Sequence, residues 1–301
     1  MKKILITGAS GFVGTHLANA LLANGDFVTG IGTSTKHPSI KDNEQFSWIS
    51  ADTTVEGAWQ KQVATADVII NLAGRNIFRI WTEKYKQAIY DSRILTTKNI
   101  VNSIEKGSDQ LLLTTSAVGI YGDCDDELLT EENSPGQGFL SKVCKDWEHE
   151  GLNAKKKGTR VSIMRFGVVL GAQGALAKMV PAFNMFVGGP LGSGNQWFPW
   201  VHIKDIENGI LFLIAHKEYN GIFNFCAPEP VRQREFAKSL GKVLKRPAIL
   251  PAPAFMVKTI MGELGSAFLE SQRAIPGHLI QNGYSFLFSH IDLALDDILG
   301  K

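Results

Sequence analysis

The chain is 301 residues long and 44% hydrophobic, and its 31 Lys+Arg against 29 Asp+Glu leave a formal charge of +2. It is long enough to bury a sizeable core. With no basic block and no run of roughly 18 apolar residues, it is not expected to bind nucleic acid or to enter a membrane. Cys124, Cys144 and Cys226 are odd in number and scattered, which argues against a disulfide framework and against a metal site.

In chain order, Met1 to Thr7 is an apolar run too short for a helix. It opens without a signal-peptide pattern, which predicts a cytoplasmic protein. The run breaks into Gly8-Ala-Ser-Gly11-Phe-Val-Gly14. Leu17, Ala18, Leu21 and Leu22 then recur at helical spacing until Asn24-Gly25 supplies a stop. Strands are predicted at Phe27–Ile31, Phe46–Ile49, Val68–Asn71, Gln110–Thr115, Arg160–Phe166 and Ile222–Asn224. Helices are predicted near Gly57–Ala64 and over Thr82–Glu105, Phe139–Lys157 and Ile203–His216. Short apolar strands alternating with helices specify an α/β, doubly wound parallel sheet. After Asn224 the alternation stops. Prolines punctuate short helices at Gln233–Leu244, Phe255–Leu264 and Ile291–Leu299, so the tail reads as a smaller, mainly helical lobe. The expected division is residues 1–171 with 200–227 as the nucleotide domain, and 172–199 with 228–301 as the substrate lobe.

A strand, a glycine turn and a helix in that order point to a dinucleotide. The glycines let the backbone approach a pyrophosphate, and the free N–H groups at the helix start bind it. The expected phosphate contacts are Gly8, Ser10, Gly11, Phe12, Val13 and Gly14. A site that prefers NAD places an acid after the second strand for the ribose 2′-hydroxyl. Here that stretch reads Ile31-Gly-Thr-Ser-Thr-Lys36. Thr33, Ser34 and Lys36 suit a 2′-phosphate, which favours NADP (NADPH) and leaves NAD as the alternative. Asp52 is a candidate partner for the adenine amino group or a plain loop acid, and Leu72, Ala73 and Gly74 are small residues where the chain passes the cofactor ribose.

Four segments together resemble an extended short-chain dehydrogenase/reductase of Rossmann fold: Thr7–Gly14, Asn71–Gly74, Ser116–Gly122 and Val201–Asp205. Further segments resemble that family's atypical branch, the "epimerase family protein" or nucleoside-diphosphate-sugar epimerase-like group. They are Trp81, Ser92-Arg93, Trp147-Glu148, Arg165–Gly171, Gly188–Gly194, Arg246–Pro251, Gly262-Glu263 and Gln272-Arg273. The resemblance spans the chain, including the C-terminal segment characteristic of the branch. It implies a dimer formed through the helices at Thr82–Glu105 and Phe139–Lys157.

The reaction of that family rests on a tyrosine followed four residues later by a lysine. None of the five tyrosines has that partner, and alignment on Glu148 puts Leu140 and Cys144 at the two positions. Two substitutes stand near the end of the fifth strand. Tyr121 is either an acid or a packed turn residue, and Ser116 bonds either a substrate carbonyl or its own turn. Arg93 is expected at the cofactor. Arg75, Asn76 and Arg273 point to an anionic small-molecule substrate, and Trp197 and Trp200 are either its aromatic walls or core anchors of the second lobe. The functional expectation is an NADP(H)-binding oxidoreductase or epimerase that lacks the usual Tyr-x-x-x-Lys pair. The alternative is a non-catalytic NADPH-binding regulatory protein.

Overall fold

A computed structural model, which describes residues 1–300, has at its centre a seven-stranded sheet. Its strands are β1 (Lys3–Thr7), β2 (Phe27–Gly32), β3 (Phe46–Ser50), β4 (Val68–Asn71), β5 (Leu111–Ala117), β7 (Arg160–Phe166) and β11 (Gly221–Phe225). All pairings are parallel, in the order β11-β7-β5-β4-β1-β2-β3. Side-chain alternation explains why these apolar runs are strands buried on both faces. Ile4 and Ile6 of β1 and Leu111 and Leu113 of β5 enter one core, and Leu5 and Leu112 enter the other.

On the first face lie α1 (Phe12–Ala23) and α6 (Ile203–Ala215), which present Leu17, Leu21, Ile206, Ile210 and Leu213. On the second, α2 (Lys61–Thr65) and α3 (Glu83–Ser103) supply Val63, Ile100 and Val101, and α4 (Phe139–Leu152) packs along α3. The exposed side chains of α3 are Glu83, Lys84, Gln87, Leu95, Lys98 and Asn102, and those of α4 are Lys142, Lys145 and His149. A helical pairing of two copies through these faces would therefore be mostly polar.

Short pairs join the sheet to the rest of the chain. β8 (Val168–Leu170) pairs with β10 (Trp200–His202), β9 (Trp197–Phe198) with β12 (Val231–Arg232), and β6 (Leu128–Leu129) with β13 (Arg273–Ala274). The tail adds α7 (Gln233–Leu244), α8 (Ala254–Met261), α9 (Glu263–Ala267), α10 (Gly277–Gln281) and α11 (Ile291–Leu299). Of these, α7 and α11 pack with α5 (Gly174–Asn184) around a third core containing Leu176, Phe183, Trp200, Phe236, Leu240, Ile291 and Leu295.

The helix expected at Phe255–Leu264 is two helices, because Gly262 breaks it at φ +59°. The helix expected to reach Lys157 ends at Leu152 and continues as a 3-10 turn. α5 escaped the sequence reading although Leu176, Met179, Val180 and Phe183 mark one helical face.

The tail is not a detached lobe. Leu279 and Tyr284 belong to the same core as Ile4 and Ile6. Buried Asp205, at the start of α6, accepts N–H bonds from Leu287 at 2.8 Å and Phe288 at 3.1 Å.

Candidate functional site

The carboxyl ends of β5, β4, β1 and β2 lie side by side on one edge of the sheet, with the glycine turn at the end of β1. Gly8 has φ +73°, and a Cβ there would stand 2.8 Å from the Leu72 carbonyl carbon. At Gly14 a Cβ would meet the Gly8 oxygen at 2.4 Å. Both are glycines because backbone crosses backbone. Gly11 is different: it is extended, at φ −74° and ψ 172°, and a Cβ would meet only the Gly8 oxygen, at 3.2 Å. It caps α1 without a side-chain bond, and the first helical bond runs from the Thr15 N–H to the Gly11 oxygen. The N–H groups of Phe12, Val13 and Gly14 therefore lack helical acceptors at the positive end of the helix dipole, an arrangement that binds anions. The Phe12 ring packs toward Gly171, Gly174 and His16, so this residue offers the cleft its backbone.

At the end of β2 the expected acid is replaced by Gly32, whose Cβ position lies 3.0 Å from Ser10 Oγ. Thr33, Ser34 and Lys36 follow, all exposed. This loop is not simply solvated. His37 is buried, its Nδ1 accepts the N–H groups of Ser39 (3.2 Å) and Ile40 (2.9 Å), and its Nε2 therefore donates to the Ala9 oxygen at 3.1 Å. Trp48 Nε1 donates to the Ser34 oxygen. The loop is thus pinned to the glycine turn, and residues 36–42 line a hollow of about 310 Å³. Asp52 is exposed and accepts from both the N–H and the hydroxyl of Thr54. A cavity of about 280 Å³ lined by Lys3, Phe27, Gln45, Phe46 and Gln62 lies at the opposite, amino ends of the strands and holds none of these residues.

Over β4 and β5 the polar groups bond to one another. Arg165 and Glu148, 4% and 7% exposed, form a bidentate pair with both contacts at 2.8 Å. Ser116 donates to Glu148 at 2.6 Å. The Tyr121 hydroxyl accepts from Arg165 at 2.9 Å and faces Asn224 Oδ1 at 2.8 Å and the Thr130 oxygen at 2.9 Å. Burial works against the Arg165 charge, but the bonds and charge of Glu148 overcome it and hold the guanidinium above its ordinary range.

Two of the candidate residues lie inside this network. Tyr121 is 1% exposed and burial pushes its phenol up to about 12, so it is a locked member of a buried network rather than an acid at the cleft surface. Ser116, also 1% exposed, has committed its proton to Glu148. Cys144 is buried as well, its thiol pushed up to about 11 by burial and then by Glu148, which leaves no thiolate. Lys142 faces outward, paired with Asp146 at 2.7 Å.

The chain leaves β4 through Leu72 and Ala73, both half-buried, and then through Gly74, Arg75 and Asn76, which are exposed. Arg93 donates to the Arg75 oxygen and Ser92 Oγ accepts the Arg75 N–H, which brings α3 against this segment. Asn76 Oδ1 accepts the Phe78 N–H, and Phe78 meets Phe268 of the tail at 5.7 Å between ring centroids. Lys86 bridges to Glu263 at 3.0 Å.

Trp197 and Arg273 come together. The two guanidinium groups of Arg232 and Arg273 lie 3.9 Å and 4.7 Å from the indole, and Asp126 takes both Trp197 Nε1 and Arg232. Trp200 does not join them. It is 1% exposed in the third core, because the strands flanking Pro199 turn the two tryptophans to different sides, so Trp200 takes the core-anchor reading rather than that of a substrate wall. Sequence reasoning passed over Arg232 and Asp126. It also passed over Glu270, whose carboxyl burial and then Asp123 push up to about 7. The ion pair of Glu148 with Arg165 did leave a signal, an arginine inside the mostly apolar stretch Val161–Phe166.

A family model described as the NAD dependent epimerase/dehydratase family matches residues 4–226, and a domain of unknown function, DUF1731, matches 252–298. The chain is 37% identical over 302 residues to the epimerase family protein SDR39U1 homolog, chloroplastic, of Arabidopsis thaliana, covering 98% of this chain and 86% of that protein. It is 35% identical over 300 residues to epimerase family protein YfhF of Bacillus subtilis, covering 98% and 97%. The crystal structure of human epimerase family protein SDR39U1 (isoform 2) with NADPH superposes with a TM-score of 0.85 at 29% identity, over 99% of each chain.

Proposed function

Because this chain belongs to the NAD dependent epimerase/dehydratase family, we propose that it binds NADPH across the carboxyl ends of its sheet and acts as an oxidoreductase or epimerase on a small anionic substrate. The observation that carries this reading is the adjacency of two sites. The uncapped start of α1 stands beside a β2 end that has no acid and carries Thr33, Ser34 and Lys36. The human relative with NADPH supports the same choice. Phe12, Val13 and Gly14 offer N–H groups to the pyrophosphate, with Gly8, Ser10 and Gly11 shaping the turn. Thr33, Ser34 and Lys36 take the 2′-phosphate, and Asp52 meets the adenine. Leu72, Ala73 and Gly74 back the ribose. When bound, the reduced nicotinamide supplies a hydride. Arg75, Asn76, Trp197 and Arg273 border the substrate space, where guanidinium forks suit a carboxylate or phosphate.

One observation favours a second reading. Leu140 stands where the resemblance places the tyrosine, and the hydroxyls of Tyr121 and Ser116 are consumed in a buried network. That arrangement suits a protein that binds NADPH and signals its occupancy without turning it over.

The test is a calorimetric titration with NADPH and with NADH, followed by a turnover screen over sugar nucleotides and small carbonyl compounds bearing an anionic group. NADPH binding with turnover is expected. Binding without turnover across the panel would transfer the assignment to the second reading, and no binding of either nucleotide would overturn both.

A further inference from the structure

Arg93 is a cation whose charge the protein leaves unanswered. Its guanidinium lies against Trp147, with Cζ 5.2 Å from the ring centroid, and Nη1 donates to the oxygens of Ile89 at 3.0 Å and Arg75 at 3.2 Å. The ring face and the two carbonyls fix the plane of the group. Nε and Nη2 bond to no protein atom, and no carboxylate pairs with the group, among the described residues. Burial lowers its pKa from the ordinary value, the sign of a charge left without a counter-charge.

The surroundings show that the position is built. At Gly74 a Cβ would stand 3.1 Å from Arg93 Cζ and 3.2 Å from Nη2, so the segment leaving β4 lies directly on the guanidinium. The platform below it is tied down by a chain of bonds. Trp147 Nε1 donates to Thr97 Oγ1 at 2.8 Å, Asn71 Nδ2 donates to the same oxygen at 2.9 Å, and the Thr7 hydroxyl donates to Asn71 Oδ1 at 2.7 Å. Thr7 is the residue before the glycine turn. A fixed, half-buried, unpaired cation costs folding stability, and what offsets that cost is a ligand that takes up the unspent donors.

Sheet order says which part of the ligand this is. β2 and β3 lie on one side of β1, and β4, β5 and β7 on the other. With the pyrophosphate at the turn between β1 and α1 and the 2′-phosphate on the β2 side, the other half of a dinucleotide falls over β4 and β5. Arg93 stands at the exit of β4.

We propose that Arg93 grips the nicotinamide riboside half of the nucleotide, its free N–H groups donating to the ribose hydroxyls and its charge standing near the nicotinamide. The inference rests on the NADPH reading above. It has a consequence beyond affinity: a fixed positive charge repels the cationic oxidised ring, so the protein prefers NADPH to NADP⁺.

Calorimetry on the whole protein tests this with three probes: NADPH, NADP⁺ and adenosine 2′,5′-bisphosphate, which lacks the nicotinamide riboside. Arg93→Gln should weaken NADPH roughly tenfold, the scale of lost charge-assisted hydrogen bonds, and leave the bisphosphate unchanged. It should also shrink the preference for NADPH over NADP⁺ several-fold, while Arg93→Lys keeps most of that preference. Unchanged NADPH affinity in Arg93→Gln would overturn the inference. So would equal losses for NADPH and the bisphosphate, which would mark Arg93 as a packing residue. A wild-type protein that binds none of the three probes would instead overturn the nucleotide reading on which the inference stands.

Discussion

The two halves of the cleft are built on opposite plans. Over β1 and β2 the binding groups are backbone N–H groups and exposed side chains, open to a ligand and held by short-range geometry. Over β4 and β5 the polar side chains of Ser116, Tyr121, Glu148, Arg165 and Asn224 bond one another in the interior, and Arg93 beside them keeps donors free. The first half can lose affinity without losing the fold. In the second, polar groups that might have served chemistry hold α4, β5, β7 and β11 together. A binding site can therefore persist where the proton-transfer set has been absorbed into the architecture.

The sharpest way to break this contrast is Glu148→Leu. It leaves the Arg165 charge buried without its partner and should cost about 3–5 kcal/mol in urea unfolding. Adding Arg165→Leu should recover much of that. A loss below about 1 kcal/mol would mean the network is not structural.

The next effect is alkaline. The folded protein holds the Tyr121 phenol at about 12, against 10.0 for the free side chain, so the folded state keeps a proton that the unfolded chain gives up. The stabilisation is full below pH 10 and is lost as the pH rises toward 12, in all about 3 kcal/mol. Tyr121→Phe should lack that component of the decline. Identical slopes of unfolding free energy against pH for the two proteins would contradict the buried assignment.

On the other half, Gly11→Val should lower NADPH affinity about 100-fold, since it fills the phosphate cradle. Gly11 is extended, so the variant should keep wild-type helix content and melting behaviour. If the variant unfolds, the turn is structural in the same sense as Gly8 and Gly14. The smallest effect belongs to Lys36→Glu, expected to weaken NADPH about tenfold through lost 2′-phosphate pairing while leaving NADH nearly unchanged. Equal changes for both nucleotides would remove Lys36 from the 2′-phosphate site.

The same contrast governs how much could be read in advance. The glycine turn and the carboxylate-free loop after β2 are written in consecutive residues, as were β4, β7 and α7, whose periodicity is strong. The network is not local: Tyr121 meets Asn224 across 103 residues, and Asn224 donates its N–H to Glu131 across 93. No spacing rule announces such a partner, so in the sequence Tyr121 stays open between an acid and a packed turn residue. Trp197 and Trp200 failed to separate for a related reason. Both look like walls in Gln196-Trp-Phe-Pro-Trp200 until Pro199 divides the segment into two short strands that pair with different partners. The burial of His37 is hidden in the same way, because its bond to Ala9 crosses 28 residues.

The placement of Leu279 and Tyr284 in the same core as Ile4 and Ile6 bears on how the protein is made. A ribosome that has translated β11 has delivered every strand of the sheet, yet the sheet's first face still lacks those two side chains and Asp205 still lacks the N–H groups of Leu287 and Phe288. We expect folding during synthesis to wait until the stretch through Phe288 has been made. Chains arrested after Phe225 should stay protease-sensitive, and resistance should arise only once the stretch through Phe288 has emerged. A protected fragment ending near Phe225 would show that the nucleotide domain closes without its tail. If it does not close alone, a premature stop anywhere upstream of that stretch yields a chain that quality control recognises as unfinished.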